Sequence, residues 1–230
     1  QTVIMFLIQI GGLGVITTAT AVFILSGRKI SILQRSTMQN AISAPKVGGI
    51  VRLMSFILKG TLLIELIGAL FMMPVFCHDF GLRGIWMAIF HSVSAFCNAG
   101  FDIIGDTSLE IFAKNIYVNI VFIILMFLGS IGYFVIEDII GAIKKKRFIH
   151  ISFHTKIVLT ASLIIYLVSI MLLKIAEPNL TWLEAVFTSV TARTTGFSTI
   201  NMAGTLPITK LIISFLMIIG GAPGSTLSVT

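Results

Sequence analysis

Long apolar runs separated by short polar intervals dominate the chain. Five stretches are long and apolar enough to be membrane helices, since about 20 such residues cross the hydrocarbon core of a bilayer. They are 1–25, uncharged; 53–76, with Lys59 and Glu65; 116–136, uncharged; 157–176, with Lys174 near its end; and 207–226, interrupted by Gly220-Gly221-Ala222-Pro223-Gly224. Two further apolar pieces, 84–96 and 182–192, are too short to span and too apolar for exposed loops. A piece of that length suits a re-entrant helix that enters the bilayer and returns. The helices flanking each piece cross in opposite directions, so each piece starts and ends on the same side.

Composition supports this reading. Hydrophobic residues make up 57% of the chain and charged residues 11%, whereas soluble domains carry roughly 25% charged residues. Such a chain is excluded as disordered for the opposite reason, since disorder goes with few apolar residues. The first stretch lacks the basic start and short apolar run of a signal peptide. Cys77 and Cys97 form no metal-ligand spacing and read as small buried apolar residues.

Charge then orients the spans. Ten of the 16 Lys and Arg lie in 26–52 (Arg28, Lys29, Arg35, Lys46, Arg52) and 144–156 (Lys144, Lys145, Lys146, Arg147, Lys156), with no acid in either. Asp79, Asp102, Asp106, Glu110, Glu177 and Glu184 lie in the opposite connections. The positive-inside rule places the basic stretches in the cytoplasm. The net charge of +7 is therefore a topology signal and not a nucleic-acid surface.

The two short pieces repeat each other. Phe90-His91-Ser92-Val93-Ser94-Ala95 matches Phe187-Thr188-Ser189-Val190-Thr191-Ala192, and each leads into Gly-Phe, at Gly100-Phe101 and Gly196-Phe197. Trp86 and Trp182 accompany the two copies. A weaker echo, Gly11-Gly12-Leu13-Gly14, Gly129-Ser130-Ile131-Gly132 and Gly220-Gly221-Ala222-Pro223-Gly224, lies in the helices running from outside to inside. The last two follow the Gly-Phe glycine by 29 and 24 residues. Applied to Gly11, that spacing puts a matching site before Gln1. The expectation is a fragment lacking the front of its first repeat.

The chemistry of such a unit favours cations. A short helix aimed into the bilayer presents the partial negative charge of its C-terminal carbonyls. Irregular backbone at that depth must line a watery cavity or be buried in protein. Its carbonyls can replace an ion's hydration shell. Glycine allows backbone angles closed to other residues. Asn98, Thr194 and Thr195 add only neutral oxygens, which suits a monovalent ion better than a divalent one.

With these motifs in view, the chain resembles the Trk/Ktr/HKT superfamily of potassium transporters, and the bacterial Trk/Ktr branch most. The resemblance is carried by Ser94–Phe101, Thr191–Phe197 and Gly220–Thr226, with Gln9–Gly14 similar to the end of that family's first repeat. It implies an all-α integral membrane fold of repeated helix–re-entrant pore helix–helix units, four around a potassium-channel-like pore. The layout is then 1–25, second helix of repeat one; 26–52, cytoplasmic loop; and 53–136, repeat two, with helix 53–76, pore helix 84–96, filter 97–101 and helix 116–136. A cytoplasmic loop, 137–156, follows. Repeat three is 157–230, with helix 157–176, pore helix 182–192, filter 193–198 and broken helix 207–226. Repeat four is absent, and the chain departs from the family's usual continuation of the last motif at Leu227-Ser228-Val229-Thr230.

The resemblance further implies potassium uptake across the inner (cytoplasmic) membrane by a multi-pass protein. The filter would be Asn98, Ala99, Gly100, Phe101, Thr194, Thr195, Gly196 and Phe197, with K+ held at Gly100 and Gly196. An intramembrane gate loop would comprise Gly220, Gly221, Ala222, Pro223, Gly224, Ser225 and Thr226. K+ is the transported ion, Na+ coupling is left open, and no cofactor is expected in the chain. The implied partners are a cytoplasmic nucleotide-binding ring protein, a second copy in a homodimer, and the lipid bilayer. Arg193, which would repel cations inside a filter, is expected to turn away and tie the re-entrant segment to a carboxylate, Glu65 or Glu184. Lys59 and Lys174 are expected to snorkel, and Gly11, Gly12, Gly129 and Gly132 to be packing glycines. Two alternatives stay open: a membrane-embedded enzyme built on Glu65, His91 or Asp106, and a non-conducting degenerate fragment. His150 and His154 are four apart but lack further ligands.

Overall fold

The computed structural model describes residues 1–14, 50–105, 108–145, 151–222 and 224–226, without the side chains of 50–53 and 145. Residues 15–25 of the first span, 26–49 of the first basic stretch, Asp106, Lys146, Arg147, His150, Pro223 and 227–230 lie outside the described residues. Regular structure among the described residues is helical throughout. The helices are α1 (Thr2–Leu13), α2 (Ile50–Phe80), α3 (Arg83–Phe96), α4 (Ile116–Ser130), α5 (Tyr133–Lys145), α6 (Phe153–Ala176), α7 (Trp182–Thr194) and α8 (Pro207–Ile219). Short 3-10 turns lie at Ser108–Phe112 and Met202–Gly204.

Two helices, α2 and α6, are long and apolar enough to cross a bilayer, and α4 with α5 makes a third if that bent pair is one span. Helix α6 is built inside-out compared with a soluble helix. Its buried stripe is Thr155, Val158, Ser162, Tyr166, Ser169 and Leu173, at the three- and four-residue spacing of one helix face. Leu163, Ile164, Leu167 and Met171 are exposed on the other side. Small polar residues allow helices to approach closely in a membrane, and apolar side chains face lipid without cost. Helix α2 likewise exposes Leu62, Leu66 and Phe71 while burying Met72 and Phe76. It runs to residue 80, past the expected 76, and holds Pro74 within it, as membrane helices tolerate.

The stretch 116–136 is not one straight helix. It breaks after Ser130, and α5 leaves at 102° to α4. The cause is a competing set of hydrogen bonds. The carbonyls of Gly129 and Ser130 accept from the Thr226 and Ala222 amides at 3.2 and 2.9 Å, and the Tyr133 amide donates to the Gly224 carbonyl at 3.0 Å. The broken segment after α8 thus occupies the groups that would have continued α4. Beyond the bend, residues 137–145, expected as loop, stay helical within α5.

The core lies where the units meet. Phe122 of α4 packs edge-on against Phe197, with ring centroids 5.2 Å apart, and against Phe187 of α7 at 6.4 Å. Phe76, Phe96, Met72 and Met87 are fully enclosed in the same cluster. The α6–α7 turn is closed by Lys174, whose Nζ donates to the Pro178 and Leu180 carbonyls and sits 5.2 Å from the Trp182 ring. The residue expected to snorkel sends its ammonium past the helix end and there also clasps the turn.

Candidate functional site: two glycine-bearing segments and a broken helix

Helices α3 and α7 are 14 and 13 residues long, and each runs into irregular backbone. Local hydrogen bonds explain the shape of both exits. After α3, the Ala99 amide donates to the Ser94 carbonyl at 2.9 Å, and the Ser94 hydroxyl donates to the Phe101 carbonyl at 2.7 Å. After α7, the Gly196 amide donates to the Thr191 carbonyl at 3.1 Å, and the Thr191 hydroxyl donates to the Phe197 carbonyl at 3.0 Å. A hydroxyl in the last turn of the helix therefore folds the Gly-Phe segment back along its own helix in both copies. Each short helix is also pinned to the long helix before it. Ser92 donates to the Glu65 carbonyl at 2.6 Å, and its counterpart Ser189 bonds to the Ser169 hydroxyl of α6.

Gly100 and Gly196 both have positive φ, 72° and 92°, where a Cβ is costly. Their surroundings differ. A Cβ on Gly100 would overlap the Thr195 carbonyl oxygen, so the two segments lie against each other, while at Gly196 the added atom would meet nothing within 4 Å. Among the described residues, the carbonyl oxygens of Ala99, Gly100, Thr195 and Gly196 accept no hydrogen bond. Unpaired backbone carbonyls need water or a cation as partner.

The two segments are joined by a side chain. Asn98 is buried and has positive φ, 53°, which asparagine tolerates better than most residues. Its Oδ1 accepts from the Thr194 and Thr195 hydroxyls at 2.9 and 2.8 Å. Its Nδ2 donates to the Thr226 hydroxyl at 3.0 Å and to the Phe96 carbonyl at 3.3 Å. Thr226 in turn donates to the Gly129 carbonyl at 3.2 Å. The ring of Phe101 is exposed, whereas Phe197 is enclosed beside His91 and Phe122.

Helix α8 stops at Gly220, whose φ is 63°. Gly220, Gly221 and Met217 line a cavity of about 400 Å³ together with Thr191, Arg193 and Thr194. Arg193 does not pair with Glu65 or Glu184. Its Nε and Nη2 donate to the Gly220 carbonyl at 3.2 and 2.9 Å, and its guanidinium lies 4.8 Å from the Tyr166 ring centre. Both carboxylates have other partners. Glu184 closes a capping box with Thr181 at the start of α7. Glu65 accepts from Gln9 Nε2 at 3.0 Å and from the Cys97 thiol at 3.6 Å.

Gln9, Glu65 and Cys97 thus join α1, α2 and the first glycine-bearing segment, a contact the sequence reading did not assemble. Glu65 standing uncompensated in an apolar span was the available signal. Gly12 and Gly129 are close-approach residues, facing Cys97 and the Phe96 carbonyl, but Gly11 faces nothing within 4 Å. Gly132 has a φ of 91° at the bend. His91 is boxed by Phe76, Phe90, Phe122 and Phe197. Among the described residues, no three His, Cys, Asp or Glu side chains form a group able to hold a metal.

Comparisons with known proteins give the family and the fold. Residues 1–228 match the TrkH family model, described as a cation transport protein. The chain is 37% identical over 237 residues to the potassium/sodium uptake protein NtpJ of Enterococcus hirae, covering 98% of this chain and 52% of that protein. It is 35% identical over 240 residues to the Ktr system potassium uptake protein B of Bacillus subtilis, covering 99% and 53%. The chain spans about half the length of these relatives. A crystal structure of the potassium transporter TrkH from Vibrio parahaemolyticus matches with a TM-score of 0.65 and 20% identity, over 96% of this chain and 44% of that one. That likeness carries the fold.

Proposed function

The chain belongs to the TrkH family of cation transport proteins, and on that premise we propose that it forms part of a potassium-uptake pore in the cytoplasmic membrane. Membership makes it a membrane protein of a transport family, which sets the enzyme alternative aside. In this reading α3 and α7 are re-entrant pore helices of repeats two and three. Ala99–Phe101 and Thr195–Phe197 are two of the filter strands, and Gly220–Thr226 is the gate loop.

The observation that carries the reading is the pair of glycine-bearing segments in contact, with four backbone carbonyls left for an ion. The filter is then a row of carbonyl dipoles, in which K+ exchanges water oxygens for backbone oxygens. The C-terminal ends of α3 and α7 add partial negative charge beside it. The Arg193 guanidinium keeps its charge, but its donors are turned onto the Gly220 carbonyl and its carbon lies over the Tyr166 ring, at one wall of the cavity that Thr194, Thr195 and Gly196 also line. The names of the Enterococcus and Bacillus relatives support K+ as cargo, and the former keeps Na+ as a second ion to assay. A homodimer and a cytoplasmic nucleotide-binding ring protein, approached through the basic stretches, complete the proposal.

The test is complementation. The intact protein, expressed in a bacterium lacking potassium uptake, restores growth at low potassium and carries monovalent cation flux. Absence of both rejects the reading. Gly100→Ser and Gly196→Ser each shift the potassium/sodium preference toward sodium. An unchanged preference in both removes these glycines from the filter.

A further inference from the structure

We infer that Asn98 is a positioning residue for ion selectivity, acting as a clamp between neighbouring filter strands and the gate loop and not as an ion ligand. The inference rests on the filter reading of Gly100 and Gly196. Its own basis is the set of contacts made by one carboxamide.

An asparagine side chain offers two acceptor sites and two donors. All four are engaged here. Oδ1 takes both the Thr194 and Thr195 hydroxyls, and Nδ2 gives to Thr226 and the Phe96 carbonyl. The oxygen expected to face an ion is therefore turned across the boundary between the two units. The Thr195 hydroxyl is held at 2.8 Å by Asn98, which leaves that residue's carbonyl as its contribution to the strand. That carbonyl is the atom against which Gly100 packs. Asn98 thus fixes the lateral distance between the two carbonyl rows, and with it the cavity that their oxygens enclose.

The clamp also has a second arm. Thr226 closes the broken segment and bonds onward to the Gly129 carbonyl at the α4 bend. A shift of the loop away from α4 pulls on the same carboxamide that sets the strand spacing. The side chain is buried, so water does not replace a lost partner without rearrangement, and an unmade buried hydrogen bond is expensive.

The experiment measures potassium/sodium permeability ratios of the intact protein in cells, with membrane abundance and thermal stability measured in parallel. Asn98→Leu removes both arms and lowers the ratio roughly five- to tenfold, the worth of one neutral hydrogen bond. Asn98→Asp keeps both acceptor contacts to Thr194 and Thr195 but loses the two donor contacts and adds a charge, so it retains only part of the ratio. Thr195→Val reproduces the loss, Thr195→Ser recovers it, and the Asn98→Leu/Thr195→Val double variant is no worse than the larger single effect. If Asn98→Leu does not accumulate in the membrane, the Val and Ser variants of Thr195 decide the question. Equal ratios for Val and Ser, or additive losses in the double variant, overturn the clamp. If Gly100→Ser and Gly196→Ser alter selectivity while Asn98→Leu does not, the clamp alone fails. If none of them alters it, the filter reading fails first.

Discussion

The Arg193 guanidinium holds the Gly220 carbonyl through two nitrogens, Nε at 3.2 Å and Nη2 at 2.9 Å, with its face over the Tyr166 ring. Arg193 belongs to the last turn of α7, and Gly220 ends α8. A cation at the negative end of a helix is favourable, and here it comes from the neighbouring short helix. The proposed filter of repeat three and the loop after α8 are therefore one hydrogen-bonded unit.

Arg193→Leu removes a charged donor pair and leaves the Gly220 carbonyl without these partners. A hydrogen bond to a charged group is worth about 1.5–3 kcal/mol. Thermal unfolding in detergent is expected to occur roughly 3–10 °C lower. Arg193→Lys falls between, since an ammonium offers a point charge without the planar fork or the ring stacking. An unfolding temperature equal to that of the parent for the Leu variant contradicts a tethering role.

Gly100 and Gly196 separate two effects of adding a methyl group. Gly196→Ala meets open space and carries only the backbone cost of its φ of 92°, about 1–2 kcal/mol. Gly100→Ala carries a similar cost and also drives its Cβ into the Thr195 carbonyl. Both variants should weaken ion preference, Gly196→Ala with flux close to the parent's and Gly100→Ala with a larger loss of stability and only a residual flux. Size-exclusion profiles alongside rubidium and sodium uptake distinguish the two.

Glu65 sits behind Cys97, bonded to Gln9 and to the Cys97 thiol. Glu65→Gln preserves size and an acceptor oxygen, so its stability stays within about 1 kcal/mol of the parent. Glu65→Leu strands the Gln9 amide in an apolar groove with Phe6 and Leu66 and costs about 1–3 kcal/mol. Chemical denaturation in detergent gives the order Glu, Gln, Leu. A Leu variant as stable as the parent shows that the Gln9 contact contributes nothing.

The units themselves were legible because the repeat reaches into the hydrogen bonding. Ser94 and Thr191, aligned by their sequence neighbourhoods, make the same bond to Phe101 and Phe197. Short apolar length separated α3 and α7 from the spanning helices, and their ends at Phe96 and Thr194 fall close to the expected 96 and 192. The α4 bend was not legible. Residues 116–136 carry no charge and offer only the Gly129-Ser130-Ile131-Gly132 echo as a sign, and the break depends on amides from residues 222 and 226, about a hundred positions away. Arg193 was expected to tie the re-entrant segment to Glu65 or Glu184; its partner is instead the Gly220 carbonyl, which no side-chain inventory reveals. Asn98 read as a neutral oxygen donor for the same reason: its partners, Thr194 and Thr195, come from the next unit.

Asp138 offers a last test, on the side where the basic stretches lie. Its Oδ2 accepts from the Ser152 amide at 2.8 Å and from the Thr155 hydroxyl at 2.7 Å. Ser152 is also the N-cap of α6 and accepts from the Thr155 amide at 3.3 Å. The carboxylate therefore ties α5, beyond the bend, to the first turn of α6, where negative charge is favourable. Asp138→Ala removes the tie but leaves the Ser152 cap, so α6 persists while α5 loosens. Hydrogen exchange should speed up in peptides covering residues 133–145 and at Ser152, and stay unchanged in the middle of α6. Asp138→Asn, with one acceptor oxygen and no charge, recovers part of the protection. Uniform acceleration along α6 instead means that Asp138 supports the helix itself and not its junction with α5.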